Sequence, residues 1–164
     1  MLVVGIDPGF ATTGYGVVHE NEVGDLSAVD YGVISTAPNI PTAERLLELH
    51  RRLLEVIKIH HPSSGAVEKL FFQRNVRTAM DVGQGRGIVL LSLAEEGIPI
   101  AEYTPMEVKQ AVVGYGGADK NQVQQMVRVL LGLEDIPRPD DAADALAIAI
   151  CHIHSSKYQL LTQM

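Results

Sequence analysis

Cysteine, basic residues and long apolar runs are all scarce in this sequence. Its only cysteine, Cys151, has no partner for an internal disulfide, so a reducing compartment is expected. No apolar run approaches the roughly 18 residues that a membrane span needs. The apolar stretch at residues 2–6 stops at Asp7 and is too short for a signal peptide. We therefore expect a cytoplasmic protein with no membrane partner.

Basic residues are outnumbered by acidic ones: the chain has 13 Lys and Arg against 20 Asp and Glu, and its net charge is −7. Proteins that bind nucleic acid are usually basic, because Lys and Arg contact the phosphates. The total therefore argues against such a partner at first sight. Clustered carboxylates at a metal site would also lower the total, however, so local basic patches on an acidic chain are still compatible with nucleic acid.

What the sequence does contain suits one folded unit. Its 164 residues, 46% of them hydrophobic, can bury about two thirds of the surface that the unfolded chain exposes. No internal repeat, low-complexity tract or long linker divides the chain. We predict a single domain over residues 1–164, with a core over about residues 2–156 and a short C-terminal tail.

Hydrophobic patterning and turn residues predict five strands and five helices. The strands are expected at residues 2–8, 14–20, 26–36, 66–70 and 98–102. The helices are expected at residues 41–60, 75–96, 105–113, 119–131 and 141–154, the second interrupted by Gly83, Gly85 and Gly87. Early hairpin strands followed by helix-separated strands predict an α/β fold, a five-stranded mixed sheet flanked by helices on both faces. This is the layout of the RNase H-like fold.

Four acidic residues lie where an ionised side chain is costly. Asp7 and Glu68 each end a buried strand, whereas Asp141 and Asp144 share one face at the start of the last helix. Buried carboxylates repel one another unless protons or cations compensate them, and Mg²⁺ prefers such oxygen ligands. The pattern predicts a metal site for phosphodiester hydrolysis, in which two cations activate water and stabilise the leaving oxygen. Asp7 would bridge the two cations.

Each acid also has a simpler interpretation. Asp7, before Pro and Gly, could cap its own turn, and Glu68 could pair with Lys69. Asp141 and Asp144 could simply favour the helix dipole in a first turn. Only the joint placement of the four acids, at two strand ends and one helix start, favours a catalytic site.

Four motifs occur in order between residues 3 and 154. They are Gly-Ile-Asp-Pro-Gly at 5–9 with Gly-Tyr-Gly-Val at 14–17, Val-Glu at 67–68 before Phe71, Val-Lys-Gln at 108–110 with Lys120, and Asp-Ala-Ala-Asp-Ala-Leu-Ala-Ile-Ala at 141–149. In sequence and spacing they resemble the RuvC-type Holliday-junction resolvases. Position 69 departs from the pattern, because it is Lys where a neutral polar residue is expected.

The resemblance implies a site, a substrate and partners. Asp7, Glu68, Asp141 and Asp144 would be the catalytic acids and the ligands of Mg²⁺ or Mn²⁺, two ions in each active site. The substrate would be branched DNA, a four-way junction that a homodimer nicks symmetrically in recombination and repair. A branch-migration helicase is a further partner that the family implies.

Several residues are candidates to hold DNA. Lys109 and Lys120 flank the glycine-rich loop at 114–117, where the backbone can approach a phosphate closely, although both could be solvated surface lysines. Lys69 could contact phosphate beside the acids. The resemblance gives Phe71 a stacking role at the junction centre, although the residue could instead belong to the core. A basic track could extend along three arginines, Arg74, Arg77 and Arg86.

Gly83 and Gly87 lie four residues apart on one helix face. Because glycine destabilises a helix relative to alanine, a close contact must compensate for it. Two contacts explain the pair equally well: a homodimer interface along this helix, or close packing on the sheet of the same chain.

Two other functions stay open on this fold. Ile-Asp-Pro-Gly at 6–9, followed by Thr12 and Thr13, also resembles the phosphate-binding hairpin of actin-like ATP-binding modules, although those proteins need two such domains. An RNA-processing nuclease of the YqgF type shares the fold. The Asp-Ala-Ala-Asp motif and the Phe after Glu68 argue against that relative.

Overall fold

A central sheet of five strands organises the computed structural model of the chain. It describes residues 1–69 and 76–162, except for the side chains of residues 77 and 159–162. The strands are β1 (Leu2–Asp7), β2 (Thr12–Glu20), β3 (Leu26–Ser35), β4 (Ser64–Glu68) and β5 (Ile100–Tyr103). The helices are α1 (Thr42–His60), α2 (Val76–Glu95), α3 (Pro105–Val113), α4 (Lys120–Leu130) and α5 (Asp140–Thr162).

The strand order β3-β2-β1-β4-β5 combines antiparallel and parallel pairs. β1, β2 and β3 are antiparallel, and the turn between β2 and β3 is closed by Asn21, whose side-chain oxygen accepts from the amides of Val23 and Asp25. β1, β4 and β5 are parallel, because α1 and α2 return the chain to the same end of the sheet. The predicted five-stranded mixed sheet is confirmed.

Alternate strand residues point to opposite faces, so the sheet has a core on each side. The face covered by α1 and α2 buries Val4, Ile6, Val17, Ile34, Val67, Leu49, Leu53, Ile57, Val89 and Leu93. The face covered by α3, α4 and α5 buries Val3, Val18, Ala66, Val108, Val112, Val123, Val127, Leu146 and Ile150, among others. Helices on both faces are therefore confirmed, as the RNase H-like layout requires.

Two helices differ from expectation. The glycines of α2 predict an interruption, but the helix is continuous, and at Gly85 a β-carbon would lie 2.2 Å from the backbone oxygen of Gly9, so a glycine is needed there for close packing. Tertiary packing commonly overrides the low helix propensity of glycine. α5 begins at Asp140 and runs to Thr162 rather than ending at 154, since residues 155–162 contain neither glycine nor proline. In the described part of the chain, no helix has the length and apolarity to cross a bilayer.

Candidate active site

The first two acids lie at the carboxyl ends of neighbouring parallel strands. Asp7 is the last residue of β1 and Glu68 the last of β4. The register pairs Ile6 with Val67, so both acids follow paired residues at the same end of the sheet. A hydrogen bond joins their carboxyl groups. This end of a parallel sheet is the usual place for a ligand in α/β folds.

Three glycines on β1 and β2 let α5 lie unusually close to the sheet. A β-carbon at Gly5 would lie 2.1 Å from the backbone oxygen of Ala145, and one at Gly14 would lie 2.0 Å from that of Asp141. A β-carbon at Gly16 would meet the Leu146 side chain at 2.8 Å. Any larger residue would therefore push the helix outward. We call these three positions the glycine seat of α5.

The glycine seat brings the acids of α5 to Asp7. Asp141 and Asp144 lie in the first turns of the helix, one on each side of two buried alanines. One carboxylate oxygen from each of Asp7, Asp141 and Asp144 lies within 4.8 Å of the other two. With Glu68 hydrogen-bonded to Asp7, the four predicted acids form one group, which we call the acidic cluster.

Burial and mutual repulsion disfavour ionisation within the acidic cluster. Burial, followed by the charges of Glu68, Asp144 and Asp141, raises the pKa of Asp7 to about 8. Burial also raises the pKa values of Glu68 and Asp144, against the attraction of nearby lysines. Asp7 is therefore largely protonated near neutral pH when no cation is bound. Carboxylate oxygens are the ligands that hard divalent cations prefer, and a bound cation could replace the proton as the compensating positive charge. The acidic cluster therefore fits a divalent cation.

Two lysines border the acidic cluster. Lys109 of α3 and Lys120 of α4 line a cavity of about 260 Å³ together with Glu68 and Asp144. The Lys120 Nζ atom lies 3.5 Å from Oδ2 of Asp144. The cavity thus presents carboxylates for cations and ammonium groups for a phosphate. Two of the residues predicted to contact DNA lie in it.

The other predicted DNA contacts lie elsewhere. Lys69 is exposed one residue beyond Glu68 and is not among the described residues that line this cavity. Phe71 and Arg74 lie outside the described residues, and Arg77 belongs to α2 with its side chain outside the description. Arg86 forms a close ion pair with Glu102 of β5, so its charge is already matched by an acid.

Two features of the site were missed by the sequence analysis. The glycine seat has a visible signal, since Gly14 and Gly16 alternate on one strand face and residues 141–149 of α5 are rich in alanine. Asp140 was also missed. It accepts hydrogen bonds from Gln124 and Arg138 and pairs with Lys120, contacts that only the folded chain creates.

Comparison with known proteins gives one consistent result. Residues 3–152 match the family model described as crossover junction endodeoxyribonuclease RuvC. The RuvC of Chloroflexus aurantiacus is 56% identical over 156 residues, covering 95% of this chain and 94% of the relative. The Thermus thermophilus RuvC structure has a TM-score of 0.89 at 42% identity, covering 97% of each chain. T. thermophilus RuvC in complex with Holliday junction substrate gives 0.89 at 40% identity, covering 96% of each.

These matches favour the resolvase hypothesis over the actin-like and YqgF-type alternatives. Endodeoxyribonucleases hydrolyse phosphodiester bonds within DNA, and the acidic cluster fits the divalent-metal dependence of this family. The resemblance drawn from the motifs is confirmed along nearly the whole chain, at the identity and coverage given above. The chain belongs to the RuvC family of crossover junction endodeoxyribonucleases.

Proposed function

We propose that this protein resolves four-way DNA junctions by nicking two strands symmetrically, with the acidic cluster as its catalytic centre. The observation that carries the proposal is the convergence of four carboxylates from β1, β4 and α5, three of them within 4.8 Å of one another. Carboxylates this close and this buried lower the stability of the fold unless protons or cations compensate them. A site that binds cations and a phosphodiester would explain why the cluster is present.

Asp7 lies at the centre of the proposed ligand set, since its carboxyl group hydrogen-bonds with both Asp141 and Glu68. We propose that two divalent cations, Mg²⁺ or Mn²⁺, would be held by Asp7 as the shared ligand together with Glu68 and Asp144, and that Asp141 would be a further ligand or would orient water. Bound cations would supply an activated water and stabilise the leaving oxygen. Asp7 must release its proton to act as a ligand, so the cluster couples cation binding to proton release.

The lysines would hold the DNA backbone. Lys109 and Lys120 present ammonium groups to the cavity that also contains Glu68 and Asp144, so a phosphate there would meet both kinds of charge. Lys69, Arg74 and Arg77 would extend this contact along the strands, and Phe71 would stack at the junction centre; these roles stay predictions. Such local positive charge offers a route to DNA despite the net charge of −7.

A homodimer would supply the second active site that symmetric nicking needs. Apolar or small residues follow one face of α2 at intervals of three or four: Val76, Met80, Gly83, Gly87 and Leu91. Val76 is 81% exposed, Met80 63% and Leu91 48%, and open space surrounds Gly87. An apolar stripe of this kind on an exposed helix suits a second copy of the chain. Gly85, by contrast, packs within its own subunit.

Three further expectations belong to the same proposal. The chain would act as a single domain over residues 1–164, in the cytoplasm, with a branch-migration helicase as a partner. The helicase expectation rests on the family alone, since no described surface is assigned to that partner.

Cleavage of synthetic DNA tests the function directly. The full chain would be incubated with a four-way junction, a linear duplex and an RNA–DNA hybrid, in Mg²⁺, Mn²⁺ or EDTA. We expect paired nicks in the junction only, and only with a divalent cation. Equal cutting of the linear duplex, cutting of the hybrid, or cutting in EDTA would refute the proposal.

A further inference from the structure

Lys120 lies in a fork between two carboxylates. Its Nζ atom is 3.3 Å from Oδ2 of Asp140 and 3.5 Å from Oδ2 of Asp144. Asp144 belongs to the acidic cluster, whereas Asp140 stands outside it. The ammonium group is therefore shared between a proposed metal ligand, Asp144, and an acid outside the proposed metal site, Asp140.

The second carboxylate oxygen of Asp140, Oδ1, accepts hydrogen bonds that fix the position of the side chain. Its Oδ1 atom accepts from Nη1 of Arg138 at 2.8 Å and from Nε2 of Gln124 at 3.2 Å. Gln124 is buried, only 6% exposed, so its donor position is fixed by the packing of α4. With Oδ1 engaged by these two donors, Oδ2 is left to face Lys120. The arrangement is a small bracket that links α4 to the start of α5.

The backbone does not favour the position of Lys120. It is the first residue of α4 after the capping residue Asp119, at the positive end of the helix dipole, where a cation is disfavoured. Its side chain is also 55% exposed and so retains freedom to leave the cavity. The two carboxylates of the fork are what keeps the ammonium group beside the acidic cluster.

A cation on Asp144 would change this balance. It would neutralise the carboxylate that Lys120 shares and would repel the ammonium group at short range. Asp140 would then be the one remaining acid of the fork. We propose that Asp140 is a positioning residue, which retains Lys120 at the active site once Asp144 binds a cation, so that Lys120 can meet a DNA phosphate. This inference rests on the proposed function of Lys120 and the acidic cluster.

Single-turnover cleavage of a four-way junction in Mg²⁺ tests the proposal. Asp140→Asn keeps the shape of the side chain and removes its charge. We expect the cleavage rate to fall roughly tenfold, while junction binding in EDTA is no weaker than that of the unsubstituted protein. Asp140→Glu should recover most of the rate, because the carboxylate can still reach Lys120. A merely structural role would not separate rate from binding in this way.

A matched control removes the same charge nearby. Asp135 is an exposed acid in the loop before α5, and Asp135→Asn leaves the fork intact. General loss of negative charge would speed both variants or leave both unchanged, whereas the proposal slows only Asp140→Asn. Thermal melting of both variants gives the temperature range in which each is folded, and the rates are compared within it.

A double-mutant cycle shows whether Asp140 acts through Lys120. We expect Lys120→Ala to slow cleavage at least as much as Asp140→Asn, and the double variant to be no slower than Lys120→Ala alone. Additive losses, or an Asp140→Asn rate equal to that of Asp135→Asn, would overturn the inference while leaving the proposed function intact. Normal cleavage by Lys120→Ala would instead remove the assigned role of Lys120, and the inference with it.

Discussion

The two faces of the sheet are built from side chains of different size. Under α1 the core is made of large residues such as Leu49, Leu53 and Ile57, which bury much apolar surface. Under α5 the sheet presents the glycine seat, against which Asp141, Ala145 and Leu146 of the helix pack closely. Large side chains give stability, whereas small ones give close approach. The chain uses the second arrangement where it needs atoms in defined positions.

The α5 face also carries an electrostatic repulsion between buried carboxylates, which lowers stability and has no counterpart among the described residues under α1. Close approach of α5 brings Asp141 and Asp144 against Asp7, and burial with these neighbours raises the pKa of Asp7 to about 8. The α1 face therefore contributes mainly to folding, and the α5 face mainly to the site. Substitutions on each face should separate these contributions.

The largest effect is expected from Asp7→Asn. The change removes a proposed bridging ligand with little change of shape, so junction cleavage should fall at least about a thousandfold. Junction binding should persist, because the lysines are unchanged. Stability in EDTA should not fall, since asparagine is neutral at this buried position at every pH, whereas Asp7 must stay protonated to be so. Rates, gel-shift binding and thermal melting of the one variant give all three results.

Leu53→Ala is the counterpart on the α1 face. Leu53 is fully buried, so the cavity should cost about 2–5 kcal/mol of unfolding free energy. Cleavage by the folded protein, measured well below the melting temperature, should stay within a fewfold of normal. Near-normal nicking by Asp7→Asn, or loss of specific activity in folded Leu53→Ala, would break the contrast between the faces.

The next effect compares two glycines of adjacent strands. Gly5→Ala would place a β-carbon 2.1 Å from the backbone oxygen of Ala145, which can yield only if α5 shifts. We expect a loss of about 3 kcal/mol in unfolding free energy, together with a loss of cleavage in the fraction that folds. Stability and cleavage should both be lost, because Asp141 and Asp144 move with α5 when the helix shifts.

Gly65→Ala is the matched control on the opposite face. Its β-carbon would meet the methyl groups of Leu93 at 3.0 and 3.1 Å and one of Ile98 at 3.6 Å, and such side chains can shift by that margin. The loss of stability should therefore be well under half that of Gly5→Ala, with cleavage retained. Equal losses for the two variants would mean that the distance of α5 from the sheet is not what positions the acids. Denaturant unfolding and junction cleavage measure both.

The sequence was sufficient for the strands and for the acids. Asp7 and Glu68 end short apolar runs that predict buried strands, and Asp141 and Asp144 share a helix face by their spacing alone. These patterns are local in sequence, so the regular geometry of a strand or a helix is enough to predict where each side chain lies on it. Helix ends were less predictable: α5 passes 154 because nothing in the following residues stops it.

Contacts between distant segments could not be predicted in the same way. Gly85 packs on Gly9 and α2 is continuous, although local propensity predicts an interruption. The bracket around Asp140 joins side chains of α4 and α5, and no spacing rule relates Gln124 to Asp140 before the helices pack. Such features depend on which surfaces meet, and a pattern along one chain segment carries no information about its partner.

A pH dependence of stability should belong to the α5 face, where Asp7 lies. The Asp7 pKa is about 8 in the folded protein against 3.8 for the free group, so between these values the unfolded chain ionises while the folded one stays neutral. Without cations, stability should therefore fall as pH rises from about 4 to 8, by up to about 1.4 kcal/mol per unit. The decline should level off above pH 8. Leu53→Ala should keep this slope and Asp7→Asn should reduce it.

Cation binding should release the proton that Asp7 carries in the cation-free protein. A cation needs the ionised form of Asp7, so Mg²⁺ affinity should rise with pH by up to about tenfold per unit below pH 8 and then level off. Titration calorimetry in buffers of different ionisation enthalpy would count the protons released. About one is expected at pH 7, the proton of Asp7. Binding without proton release at pH 7 would show that the cluster is already ionised, and the α5 face would then carry no protons for a cation to replace.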